Sequence, residues 1–335
     1  MPKHARPTIF DLERITGFST GTISRAFNNN TKIKASTRDF VLQKAREIGY
    51  APHSGARAMI QGKTRRWGLL LPHLQNPRYA EVMEHLDREA RLRSTLLLLG
   101  LSHYDQKVES EMVLHWASGE VDGIISDTCY DIEVFEKLRL RRFPMVFLFS
   151  APSSDYNLVT TDPTECSIKL MEMFIQAGHR RIGYISQDFP NIRLHSSHVA
   201  YQKVLASHKI PYDESLVYFG TIDYESGPQA WRQWRSNPRR PTAVLCFNDI
   251  TACGLIQSAQ NDGYRVPHDL SVAGSDDIPT ASFLNLTTIR TNPADIAREV
   301  FSLLEHPANQ PPETRLVPAT IVERSSIGPV PSNPK

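Results

Sequence analysis

The apolar positions of this chain change rhythm along its length. Near the start they recur at helical spacing: Ile9, Leu12 and Ile15, then Ile23, Ala26 and Phe27, then Val41, Ala45 and Ile48. Each set falls on one face of a helix. Gly17 permits a tight turn between the first two, Ser19 is placed to cap the second and Ser36 the third. Gly49 ends the third helix, and Pro52 stops its resumption. Isolated helices below about 12–15 residues are marginal in water. The three stripes are therefore expected to bury one another in a helical head over residues 1–50.

Residues 51–66, "APHSGARAMIQGKTRR", are small, basic and poor in core residues, and read as a hinge without order of its own when free. From Trp67 the rhythm becomes short apolar strands alternating with amphipathic helices. The strands are "WGLLLP", "STLLLLGL", "VDGIISD", "FPMVFLFS", "NLVTTD", "RIGYIS", "LVYFG", "TAVLCFND", "LSVAGSDD" and "LTTIRT". Helices are expected over 77–93, 106–118, 131–140, 163–178, 197–208, 227–236, 249–262 and 293–306. This alternation implies a doubly wound, mostly parallel sheet. Ten strands are many for one such sheet, so residues 67–330 are expected to form two lobes. Lobe 1 would hold about 67–162 and 292–318, and lobe 2 about 163–291 and 319–330. Ligands of open α/β sheets bind beyond the carboxyl ends of the strands.

Charge sharpens the picture where composition does not. The 335 residues carry a net charge of only +2, but the first 66 hold thirteen basic and four acidic residues, a net +9. The remainder carries −7. A compact basic module on an acidic body suggests a polyanionic partner. The most apolar run, "LLLLGL" at 96–101, is far shorter than the roughly 18 residues of a membrane span, and no apolar leader follows Met1. The expectation is a cytoplasmic, nucleoid-associated protein with no membrane contact. Cys129, Cys166, Cys246 and Cys253 form no CxxC pair and no zinc spacing, and read as small buried residues. No metal, cofactor or catalytic group is expected.

The first two helices have the layout of a helix-turn-helix, whose second helix enters the major groove by its N-terminal end. That end is "STGTISR": Thr20 and Gly21 would face base edges, and Thr22, Ser24 and Arg25 bases or phosphates. A generic helical hairpin would look similar. In the hinge, Arg57 and Met59 fit an apolar wedge flanked by a cation in a minor groove, or an ordinary linker.

These residues resemble the lactose-repressor (LacI/GalR) family. Its pattern T-I-x-D-V-A-x-x-A-G-V-S-x-x-T-V-S-R-x-L-N meets "TIFDLERITGFSTGTISRAFN" here. "STRDFVLQKAREIGYAP", the hinge "ARAM", and "LLLPHLQNPRYAEVMEHLDREAR", "EVDGIIS", "AGHRRIGYIS", "PTAVLCFND" and "VPHDLSVAGSDDIP" continue the match. The resemblance implies a head plus hinge on a two-lobed core like periplasmic sugar-binding proteins. It implies a homodimer on a palindromic double-stranded operator, controlled by a small sugar-like effector. DNA contacts are then expected from Thr8, Ser19, Thr20, Gly21, Thr22, Ser24, Arg25, Asn28, His53, Ala56, Arg57 and Met59. Effector contacts are expected from His73, Gln75, Asn76, Tyr79, Asp127, Phe149, Arg193, Ser197, Ile222, Asn248 and Asp276, with Asp249 and Asp277 beside the last two. A strand-end turn capping a helix is the plainer reading of Asp276 and Asp277.

Several positions depart from the family pattern. Glu13 and Thr16 replace alanines, Met59 a wedge leucine and His53 an asparagine. Ser197 stands for an arginine, for which Arg193 or His198 would compensate; Phe149 stands for an aspartate and Ile222 for an aromatic residue. They suggest a pocket more apolar than a hexose site. An α/β carbohydrate-active enzyme and a secreted sugar-binding protein share this body architecture. The chain has no G-x-S-x-G elbow, phosphate-binding loop or HExxH helix for the first, and a basic head that the second lacks. No leucine heptads stand at the C-terminus, which favours a dimer over a tetramer.

Overall fold

The structure, a computed structural model, describes residues 7–27, 32–51, 62–187, 196–221, 223–307 and 310–331. It divides into two compact units, Met1–Arg65 and Arg66–Lys335. Most of the expected hinge, with Asn28, His53, Ala56, Arg57 and Met59, lies outside the described residues, as do Arg193 and Ile222.

The head has three helices, α1 (Ile9–Thr16), α2 (Thr20–Phe27) and α3 (Ala35–Ile48). Leu12, Ile23, Ala26, Val41 and Ala45 are buried together, with Ile9, Phe27 and Ile48 packed around them. Ile15, read as part of the first stripe, is instead 44% exposed. Its place in the core is filled from the turn, where Phe18 packs on the cluster and meets Phe40 edge-on at 6.3 Å. Gly17 takes the left-handed conformation (φ 73°), which lets α1 stop and the chain turn within three residues. Ser36 does not cap α3: the helix begins one residue earlier, and its cap, Lys34, makes no side-chain cap bond.

The core contains two six-stranded sheets. In lobe 1, β1 (Arg66–Leu71), β2 (Leu96–Leu101), β3 (Gly123–Ser126), β4 (Met145–Leu148), β5 (Asn157–Thr161) and β11 (Thr314–Val317) lie in the order β11-β5-β4-β3-β1-β2, all parallel. In lobe 2, β6 (Ile182–Gln187), β7 (Val217–Gly220), β8 (Ala243–Cys246), β9 (Ser271–Ser275), β10 (Thr287–Thr291) and β12 (Ala319–Val322) lie in the order β12-β10-β9-β8-β6-β7. Only β12 is antiparallel to its neighbour there. The two short C-terminal strands, separated by Pro318, were not evident in the sequence.

Helices cover both faces of each sheet, so successive strand residues are buried on opposite sides. Leu69, Leu71, Ile125, Val146 and Leu148 pack with α4 (Pro77–Leu92) and α12 (Pro293–Leu304). The intervening Leu70, Ile124 and Phe147 pack with Trp116, Phe135 and Leu138, the last two from α6 (Ile132–Leu140). Trp116 follows α5 (Gln106–His115) in a π-type turn. In lobe 2, Ile185, Val244, Cys246 and Val272 face α9 (Ser226–Trp234) and α10 (Asp249–Asn261). Tyr184, Leu245 and Ala273 face α7 (Thr164–Gln176) and α8 (Ser196–Ser207). A five-residue α11 (Pro279–Phe283) follows β9. No helix among the described residues is long and apolar enough to cross a membrane.

Candidate functional site

Two regions gather the expected site residues, one in each unit. In the head, Thr8 and Asp11 form a reciprocal capping box: Asp11 N–H donates to Thr8 Oγ1 at 3.3 Å, and Thr8 N–H to Asp11 Oδ2 at 2.9 Å. The Thr8 hydroxyl also donates to Asp11 at 2.8 Å, so it is engaged within the helix. The bonds from Thr8, backbone first, hold the Asp11 carboxyl below its ordinary range. At the start of α2, Ser19 Oγ lies 3.4 Å from Thr22 N and 3.2 Å from Thr22 Oγ1, the cap read from the sequence. Glu13 adds a second: its Oε1 accepts the Thr20 N–H at 3.3 Å. The departure from alanine at 13 thus ties α1 to the N-terminal end of α2. Ile23 and Ala26 turn inward, Ser19, Gly21 and Arg25 are exposed, and Thr20, Thr22 and Ser24 are half-buried. The polar end of α2 is therefore presented on the head's surface.

In the core, both sheets share the order 2-1-3-4-5 within their first five strands, with a switch point beside the first. The carboxyl ends of the two sheets meet there through direct bonds. Asn76 caps α4, accepting Arg78 N–H at 3.0 Å, and its amide donates to Asp276 Oδ2 at 2.9 Å. Arg78 Nη1 forms an ion pair with the other oxygen of Asp276. Asp276 follows β9, so lobe 1 and lobe 2 are bridged. The Arg78 guanidinium lies 4.2 Å over the Phe149 ring. Burial works against its charge, but Asp276 beside it holds its pKa above the ordinary value.

Next to this pair, Tyr79 donates its hydroxyl to Asp127 at 2.5 Å. Burial pushes the Asp127 carboxyl up to about 7, against the opposing pull of the Tyr79 bond and the Arg78 charge. Burial and the Asp127 charge in turn raise the Tyr79 phenol well above its usual range. The His73 ring is edge-on to Tyr79 at 5.5 Å and lies 5.4 Å from Tyr104, which meets Tyr130 at 6.0 Å. Burial lowers the His73 pKa, while the charge of Asp223, from lobe 2, opposes that fall. Gln75 is exposed, and its N–H donates to His73 Nδ1 at 3.1 Å.

The remaining expected residues lie deeper in lobe 2. Asn248 is buried and caps α10, accepting Thr251 N–H at 3.0 Å. Asp249 is enclosed, accepting Thr288 Oγ1 at 2.6 Å and Ile278 N–H at 3.1 Å, and burial pushes its carboxyl well up. It braces strand ends rather than facing the cleft. Asp277 is held by Arg290 and, at 2.6 Å, by Arg324. Neither Asp276 nor Asp277 caps α11, whose cap is Ile278. Ser197 is buried and accepts the Ser167 hydroxyl at 3.3 Å. His198 is enclosed by the rings of Tyr184, Tyr201, Tyr212 and Phe219, so it does not stand in for a cleft arginine. Arg78, Tyr104, Tyr130 and Asp223, which the sequence reading did not single out, lie beside the expected residues of the cleft. For Arg78 the charged position in "NPRY" was the available signal.

Residues 171–327 match a family model described as a periplasmic binding protein-like domain. The chain is 30% identical over 330 residues to the HTH-type transcriptional repressor PurR of Vibrio atlanticus, spanning 96% of this chain and 98% of that one. It is 29% identical over 303 residues to Catabolite control protein A of Priestia megaterium, spanning 89% and 91%. The lac repressor dimer bound to operator and the anti-inducer ONPF matches in fold with a TM-score of 0.84 at 20% identity, over 96% of this chain and 99% of that one. On its sequence relatives and its fold, this chain belongs to the lactose-repressor (LacI/GalR) family of transcription regulators, and not with the enzymes that share its core architecture.

Proposed function

We propose that this protein is a repressor that binds a palindromic operator as a homodimer in the cytoplasm and is controlled by a sugar-like effector in the cleft between its lobes. The observation that carries this reading is the exposed polar end of α2, fixed by the caps from Ser19 and Glu13, within a head-and-hinge segment of net charge +9 over its 66 residues. Thr20, Gly21, Thr22, Ser24 and Arg25 would read a major-groove half-site, one head per subunit. The hinge, residues 51–66, would order only when both copies are held at the correct separation.

The cleft supplies the control. His73, Asn76, Tyr79, Asp127, Phe149 and Asp276 surround the bridge between the lobes, so a ligand there changes how the lobes are joined. Asp276 and Asp127 offer carboxyl oxygens to hydroxyls, and the Tyr79 and His73 rings offer a wall. A coupling of about 1–3 kcal/mol would change operator affinity roughly 5- to 150-fold. The test is Arg25→Ala in a duplex-binding assay. Loss of affinity concentrated on the selected operator supports base reading by α2. Equal loss on unrelated duplex reduces Arg25 to a phosphate contact.

A further inference from the structure

We propose that Arg78 makes the cleft selective for an effector bearing a carboxylate, a sugar acid rather than a neutral sugar or a sugar phosphate. This rests on the regulator reading above and names the ligand class of the same cleft. Arg78 Nη1 is committed to Asp276, while its Nη2 is buried and has no hydrogen-bond partner among the described residues. A buried donor on a charged group is costly to leave unmade. The guanidinium plane is held by Asp276 at one edge and by the Phe149 ring at one face, so the donor is fixed before any ligand arrives. The remaining Nη2 donor suits a charge-assisted bond to a carboxylate oxygen.

Two negative charges on a ligand are opposed here more than one. Asp276 is neutralised by Arg78, and Asp277 is taken up by Arg290 and Arg324. The buried Asp127 carboxyl keeps its proton to about pH 7. A monoanion therefore meets a guanidinium without facing an array of free carboxylates. A phosphate dianion would add a second negative charge where Asp276 already balances Arg78 and Asp223 lies near His73. The Tyr79 hydroxyl, Asp127 and Asn76 are then available to the ligand's hydroxyl groups, and the His73 and Tyr79 rings to its C–H face.

The experiment uses the full chain. Hexuronates, hexonates and keto-deoxy sugar acids are titrated beside their neutral parents and hexose 6-phosphates, by thermal shift and calorimetry, in the natural sequence and in Arg78→Gln. At least one sugar acid should bind about tenfold or more tighter than its neutral parent and its phosphate, and Arg78→Gln should abolish that preference. A cooperative thermal transition and an unchanged far-ultraviolet circular dichroism spectrum of the ligand-free variant show that it is folded. The proposal is overturned if no sugar acid binds, if a neutral sugar or phosphate binds tighter, or if Arg78→Gln keeps the preference. Absence of operator preference in the natural sequence would instead sink the regulator reading, whatever the cleft binds.

Discussion

Replacing Asp127 by asparagine isolates one buried proton of the cleft. In the folded protein the Asp127 carboxyl holds its proton to about pH 7, because burial disfavours the anion more than the Tyr79 bond and the Arg78 charge favour it. In the unfolded chain it releases that proton near its ordinary value of 3.8. Between these values the native state binds the proton and the unfolded state does not. The stability contribution of this group therefore falls as pH rises, by about 1.4 kcal/mol per pH unit. Above about 7 both states are ionised and the slope ends. Across the window from 3.8 to about 7 the effect amounts to about 4 kcal/mol. Asparagine keeps an oxygen for the Tyr79 hydroxyl and has no proton to release. The assay is urea unfolding of both proteins, followed by tryptophan fluorescence. From about pH 5 to about pH 7.5 the natural sequence should lose about 2 to 3 kcal/mol relative to Asp127→Asn. Parallel stability curves, or a relative gain by the natural sequence, would refute the burial argument for this site.

Other parts of the account give expectations of their own. Glu13→Ala removes the acceptor of the Thr20 N–H and should cost about 1 kcal/mol of head stability; unchanged hydrogen exchange of the α2 amides would contradict the capping role. Gly227→Ala should destabilise the core by about 2 kcal/mol or more. A methyl group there would stand 2.2 Å from Leu255 N and 2.4 Å from Thr251 O, backbone atoms of the facing helix α10 that have no rotamer with which to yield. Unfolding at an unchanged urea midpoint would show that α9 and α10 separate more easily than their packing indicates.

Periodicity and turn residues made the regular elements legible. Ten strands and the long helices follow from apolar runs and amphipathic stripes, and Gly17 and Gly49 stop their helices in the left-handed conformation. What stayed hidden depends on tertiary approach. An arginine in the first turn of an amphipathic helix reads as a solvated residue. Arg78 becomes a cleft residue only because Asp276, 198 positions away, is brought against it. Asp249 looks like a ligand group at a strand end, yet Thr288 and Ile278 from later in the chain enclose it. His198 is likewise withdrawn by rings from four other positions. The strands β11 and β12 are largely exposed or half-buried, Val317 apart, so no continuous apolar run marks them.

The measurement closest to the central claim is duplex binding by the full chain, read by fluorescence anisotropy, on an inverted repeat selected from random sequence and on unselected duplex. Cations of the head that neutralise about six or more phosphates predict a fall of roughly a thousandfold or more between about 50 and about 200 mM salt. The selected repeat should bind far more tightly than random duplex at each salt concentration. Equal affinity for both duplexes, or binding that ignores salt, would contradict a paired basic head reading operator DNA.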